Sequence, residues 1–133
     1  MIVAVADTHT ALWHLLNDKR LSSAADSFLM EAANTGHKIA LSSISLVEVV
    51  YLVDKGRIPA SAYKELVRAL ADPEHLFIEA VLSAPVVESI RQVSRAEVPD
   101  MPDRIIAGTA AYLALPVISR DRHIRTSSLK TIW

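Results

Sequence analysis

Four carboxylates, far apart in the chain, stand where side chains could do chemistry: Asp7, Glu48, Asp103 and Asp121. Each also has an ordinary structural use. Asp7, in Val5-Ala6-Asp7-Thr8-His9, follows an apolar run and fits a helix N-cap, accepting a hydrogen bond from a first-turn N–H. Glu48 is the only acid between Glu31 and Asp54, within an almost wholly apolar stretch. Ser45 stands three residues before it, as in a capping box. However, Ser42 and Ser43 are equally good caps. If the helix begins there, Glu48 lies inside it, where a lone carboxylate is expensive to bury without a partner. Asp103, in Asp100-Met101-Pro102-Asp103-Arg104, fits a first-turn acid stabilised by the helix dipole by ~0.3–1 kcal/mol. Asp121, in Val117-Ile118-Ser119-Arg120-Asp121, fits a turn or a cap.

Taken together, the four acquire a shared meaning. Asp7 and Asp121 follow predicted strand ends; Glu48 and Asp103 lie near predicted helix starts. In a parallel sheet all four project toward its carboxyl edge, where ligands bind in such folds. Ionised carboxylates sharing one cleft repel and raise each other's pKa, so the cluster calls for a divalent cation. All-oxygen ligands suit magnesium or manganese rather than zinc. The hydroxyls of Thr8 and Ser119 stand close by in sequence, able to orient the carboxylates or bound waters.

The elements that must position these acids are readable from apolar periodicity. Ile2–Ala6 is an apolar run fit for a fully buried strand. A helix is predicted from about Thr8 to Asn17, with Leu12, Leu15 and Leu16 on one face. Another spans about Ser23 to Asn34, with Gly36 just past its end. Lys38–Leu41 reads as the second strand. Ser43–Asp54 is an apolar helix closed by Gly56, and Ser61–Leu70 is a helix stopped by Asp72-Pro73. Leu76–Val81 is the third strand. Ala84–Arg95 reads as helix, Glu97–Met101 as loop, and Pro102–Leu113 as helix with proline in its first turn. Pro116–Ser119 is the fourth strand, and Lys130–Trp133 a short edge strand. Short apolar strands alternating with amphipathic helices indicate a parallel sheet covered on both faces.

Composition narrows the function classes. The chain has 133 residues, 51% hydrophobic and 22% charged, enough to bury a core as one domain spanning residues 1–133. There is no cysteine, which excludes disulfides, thiolate metal sites and cysteine nucleophiles. No apolar run approaches the ~20 residues of a spanning helix. The first residues lack a basic region, so a cytoplasmic protein is expected. With 14 basic and 15 acidic residues, the net charge of −1 offers no global attraction to nucleic acid. Any such contact must come from a local patch. Arg120, Arg122 and Arg125, clustered after the fourth strand, form such a patch, which on charge alone fits either nucleic-acid phosphate contacts or a solvated face. The five histidines are scattered, and His9 and His123 read as structural. Arg104 is expected to pair with an acid near the site.

These segments, in this order, resemble the PIN-domain nucleases, and within them the VapC-type toxins of bacterial and archaeal toxin–antitoxin pairs. Val5-Ala6-Asp7-Thr8-His9 with Ala11-Leu12-Trp13 looks like the first motif, and Ile44-Ser45-Leu46-Val47-Glu48-Val49 like the second. Asp100-Met101-Pro102-Asp103-Arg104-Ile105-Ile106-Ala107 looks like the third, and Ile118-Ser119-Arg120-Asp121 like the fourth. The resemblance covers essentially the whole chain. It implies a three-layer α/β/α sandwich with a central parallel sheet of strand order 3-2-1-4-5. It implies a metal-dependent endoribonuclease in which Asp7, Glu48, Asp103 and Asp121 hold Mg2+ or Mn2+, with Asp100 peripheral. The ion would lower the pKa of water, orient it in line with an RNA phosphodiester and stabilise the leaving oxygen. It further implies a homodimer and a cognate antitoxin that covers the groove. Two departures stand out: His123 occupies a position where many relatives carry an acid, and Met101-Pro102 replaces a frequent aromatic.

Three rival readings are a housekeeping PIN nuclease in RNA processing, a non-catalytic module of the same fold, and a phosphoacceptor receiver-like domain. The last requires an aspartate after the third strand, where Val81-Leu82-Ser83 stands instead.

Overall fold

The computed structural model describes residues 1–133. Five strands, β1 (Ile2–Ala6), β2 (Lys38–Ser42), β3 (Phe77–Ala80), β4 (Val117–Ile118) and β5 (Thr131–Ile132), form one sheet. Its order is β3-β2-β1-β4-β5, and every neighbouring pair is parallel. Seven helices pack around it: α1 (Thr8–Leu15), α2 (Ser23–Asn34), α3 (Ser43–Asp54), α4 (Ala60–Ala71), α5 (Ala84–Ile90), α6 (Met101–Leu113) and α7 (Arg122–Arg125). The expected α/β class and strand order are those observed.

The apolar strands are buried on both faces, and their alternation divides the core into two layers. Ala4 and Ala6 of β1, Ile39 and Leu41 of β2, and Ile118 of β4 face one layer, packed with Leu12, Leu29 and Leu66. Val5, Ala40 and Val117 face the other, packed with Ile105, Ile106 and Ile124. The chain builds outward from β1 through β2 to β3, then crosses to β4 and β5 on the opposite side. Strand order therefore reverses between β1 and β4, whose carboxyl ends are tied by the Asp7 N–H donating to the Ile118 carbonyl at 3.2 Å.

Three local expectations need correction. The helix α1 ends at Leu15, not Asn17, because Asn17 turns left-handed at φ 53° and reverses the chain. The helix α5 ends at Ile90 rather than Arg95. Arg91, Gln92 and Val93 continue instead in tight turns, each N–H donating to the carbonyl three residues back. Their apolar spacing is helical, but the turns are what fold Val93 into the core. A further helical turn, α7, falls where no helix was expected; four residues are too few to show a period.

Gly108 explains how closely α5 and α6 approach. A Cβ there would stand 2.7 Å from Ile90 Cγ1 and 3.0 Å from Ile90 Cα, so backbone as well as side chain would have to move. Gly108→Ala should therefore destabilise the fold by about 1–3 kcal/mol despite alanine's better helix propensity. Thermal unfolding followed by circular dichroism measures this. An unchanged or higher Tm would contradict the close packing.

Candidate active site

Each acidic side chain is placed by the end of a regular element. Asp7 follows β1 and caps α1: its Oδ1 accepts from the Thr10 N–H at 2.9 Å, and it is only 7% exposed. Its second oxygen, Oδ2, accepts from the fully buried Ser119 hydroxyl. Ser119 Oγ in turn accepts the Asp121 N–H at 3.0 Å. One hydroxyl thus links the residue after β1 to the segment after β4. Asp121 caps α7 through Oδ1, accepting from the Ile124 N–H at 3.1 Å.

Glu48 comes from the opposite side of β1. The cap of α3 is Ser42, so Glu48 lies within the helix and is not part of a Ser45 capping box. Its Oε1 accepts from the Thr8 hydroxyl, which also shares a 2.8 Å hydrogen bond with Ser45 Oγ. Burial pushes its carboxyl above the ordinary glutamate range, and the Thr8 hydrogen bond opposes that. Asp103 stands in the first turn of α6. Asp100 caps that helix, its Oδ2 accepting from the Asp103 N–H at 3.2 Å. The Asp103 carboxyl is pushed up to about 7, first by burial and then by the charges of Asp121, Asp100, Glu48 and Asp7. Those four anions are near enough to act on its proton.

All five acids line one hollow of about 410 Å3, together with Thr8, His9, Trp13, Arg20 and Arg120. None of Asp7, Glu48, Asp100 or Asp103 forms a salt bridge; Asp121 has only His123, at 3.9 Å. The donor set is hard oxygen throughout, the chemistry of a magnesium or manganese site. No three of these side chains are close enough to ligate a single ion in this arrangement. Binding an ion would have to draw them inward, against the repulsion that raises Asp103. The residues expected to support the ligands, Thr8 and Ser119, hydrogen-bond to Glu48 and Asp7 respectively. Asp100, expected at the periphery, is exposed and lines the same hollow.

The basic residues divide. Arg120 lines the hollow, whereas Arg122 and Arg125 are exposed on α7 and do not line it. Their helix turns them away after Asp121, which a sequence cluster could not reveal. Arg104 pairs with no acid; its Nε donates to the Val93 carbonyl at 3.1 Å, tying α6 to the turns after α5. Four residues at the site have no functional reading from sequence: His9, Arg20, Ser45 and Trp13. Trp13 is 4% exposed, but its ring also forms part of the hollow's wall. Arg20 carried no usable signal, because nothing local indicates that the chain doubles back after α1.

Asp103 carries a testable linkage. Unfolded, its carboxyl loses its proton near 3.8; folded, near 7. Between these values the folded protein holds the extra proton, so stability falls as pH rises and the penalty is complete above about 7. Asp103→Asn removes that penalty. In chelator, the variant should be more stable than wild type at pH ~8 by about 1 kcal/mol after allowance for solvent screening, or ~3–5 °C in Tm. At pH ~3 the difference should all but vanish, because both states then largely keep the proton. Equal Tm values at both pH values would show that the neighbouring anions do not act on Asp103.

Comparison with known proteins agrees with the fold. A solved structure described as VapBC2 from Rickettsia felis bound to a DNA fragment from their promoter matches 99% of this chain and 100% of its own. The TM-score is 0.68, at 18% sequence identity. No match is found among curated proteins. The PIN domain family model matches residues 4–127, nearly the whole length, and the chain belongs to the PIN domain family.

Proposed function

We propose that this chain is a metal-dependent endoribonuclease of the VapC type, the toxin of a toxin–antitoxin pair. One observation carries the nuclease reading. Acids from four separate parts of the chain line a single hollow at the switch point, with no basic side chain bonded to four of the five. Such an arrangement raises the free energy of the protein alone, as Asp103 records, and a bound cation would relieve it.

In this reading Asp7, Glu48, Asp103 and Asp121 hold Mg2+ or Mn2+. When bound, such an ion would neutralise charge at the phosphate and lower the pKa of water. The chain's own side chains do the rest. Ser119 and Thr8 fix the oxygens of Asp7 and Glu48 through their hydroxyls. Asp100 and Asp121, as caps, fix the starts of α6 and α7 and so the placement of Asp103 and of Asp121 itself. Arg120 supplies positive charge on the wall for the backbone of a single-stranded or looped RNA.

The toxin assignment draws on the likeness to VapBC2, a complex in which a second protein accompanies the PIN-like chain. A cognate antitoxin is the proposed partner, acting in the cytoplasm. Homodimer formation is proposed from the outer face of α3, where Val47, Val50 and Tyr51 are exposed. No helix is long and apolar enough to cross a membrane.

Incubation with total RNA should give manganese-dependent cuts bearing 5′-phosphate and 3′-hydroxyl ends, abolished by chelator. Asp7→Asn and Asp103→Asn should lower the rate at least about 100-fold. Both should keep the fold, since asparagine still serves as an N-cap at position 7. Ser119→Ala should cost ~10–100-fold in metal affinity or activity. Native-rate cleavage by Asp103→Asn would refute the ligand assignment. Growth arrest on expression, relieved by the product of a small neighbouring gene, separates a toxin from a housekeeping nuclease.

A further inference from the structure

We propose that Arg20 and Arg120, both seated on the Trp13 indole at the wall of the acidic hollow, form a two-arginine clamp for RNA phosphates flanking the cut site. The clamp rests on the nuclease reading above and adds to it the path of the strand. The guanidinium carbon of Arg120 lies 4.7 Å from the Trp13 ring centre, and that of Arg20 lies 5.1 Å from it. Both distances are within the range of cation–π attraction. The two arginines are a hundred positions apart in the chain, yet they meet on one side chain. Trp13 itself is held from behind by Trp133, ring centres 5.8 Å apart, and by His9 at 5.5 Å.

The local chain explains how Arg20 arrives there. Left-handed Asn17 ends α1, and the Asp18 N–H donates back to the Trp13 carbonyl at 2.8 Å. Asp18 then holds Arg20 through three hydrogen bonds: Oδ1 accepts from its backbone N–H at 2.9 Å and from Nε at 3.1 Å, and Oδ2 from Nη2 at 2.8 Å. A guanidinium has five N–H donors, so Nη1 remains available to a ligand. Arg120 forms no salt bridge at all. Both side chains belong to exposed residues, reachable by a polymer.

The electrostatics require such a feature. A phosphodiester entering a hollow lined by five carboxylates is repelled at every phosphate except one held at a neutralised centre. The flanking phosphates need fixed positive charge, and the only arginines or lysines lining the hollow are Arg20 and Arg120. An adjoining hollow shares His9, Trp13 and Arg20 with the first and adds Arg57, which extends the positive track away from the acids. Arg122 and Arg125 lie off this track.

Fluorescence anisotropy of a mixed-sequence single-stranded RNA, in calcium and over about 50–200 mM salt, tests the clamp. Arg20→Ala and Arg120→Ala should each weaken binding about fivefold to tenfold at the low-salt end. Each should also flatten the plot of log affinity against log salt by about 0.7, the loss of one phosphate contact on a single strand. Arg20→Lys should keep the slope. Trp13→Phe keeps both charges, so it should keep the slope while weakening binding about twofold to threefold through a poorer cation–π platform. Arg91→Ala, exposed in the turns just after α5 and away from both hollows, serves as the control for simple loss of charge and should change neither quantity. Wild-type slopes in both alanine variants, with wild type binding RNA, would overturn the clamp and leave the nuclease reading standing. A wild type that neither binds nor cuts RNA would overturn the nuclease reading and the clamp with it.

Discussion

Repulsion among carboxylates at the β1–β4 switch point is the constraint around which the rest of this molecule is arranged. A fold ordinarily separates like charges or pairs them. Here Asp7 and Asp121 are brought to adjacent strand ends, while Glu48 and Asp103 approach from α3 and α6, with no salt bridge to quiet them apart from the distant His123 contact. The two core layers supply the energy that holds this arrangement, because each strand buries apolar side chains on both faces. The acids sit at the rim of that core rather than within it, so the sheet can be well packed while its edge stays strained by charge.

Three of the acids both cap helices and line the hollow, so for them a structural and a functional reading are not true alternatives. Asp7, Asp100 and Asp121 cap α1, α6 and α7, yet all three line the hollow. An N-cap places a carboxylate at the helix end where N–H groups converge, and in a parallel α/β fold that end lies at the carboxyl edge of the sheet. Capping thus delivers acids to the site at little extra cost. Ser119 adds rigidity by joining Asp7 to the Asp121 backbone across the switch point.

Sequence periodicity made most of the fold legible. The boundaries of α2 and α3 are those predicted, because each has a serine cap, an apolar stripe and a glycine just past its end, Gly36 and Gly56 both left-handed. Legibility failed where a few residues decide the path. Helix α5 gives way to tight turns after Ile90, which packs closely on Gly108 of α6, a contact between segments distant in sequence. The four residues of α7 are too short for a period, and sequence closeness to the fourth strand alone puts Arg122 and Arg125 beside the site, whereas they do not line the hollow. Arg104 was assigned an acid partner by proximity in sequence, but its nearest acceptor is a backbone carbonyl. The acids were legible because a cluster of four needs only the topology to be right. The basic residues were not, because an arginine's long side chain follows local turns such as the one at Asn17.

Charge distribution would reconcile a net charge of −1 with the polyanionic substrate proposed above. A uniformly basic surface would hold nucleic acid tightly and without discrimination. In the proposed arrangement, attraction is confined to Arg20 and Arg120 beside an acidic centre. The centre is hospitable to a phosphate only once an ion neutralises it. Affinity for a strand then depends on the ion, and without metal the acids oppose binding at the very point where the strand would be cut. Raising the Asp103 carboxyl to about 7 has a related consequence for the proposed site: protons would compete with an ion for that carboxylate near neutral pH. In the proposed nuclease, occupancy by the ion, rather than bulk electrostatics, would be the condition on which both RNA binding and hydrolysis turn.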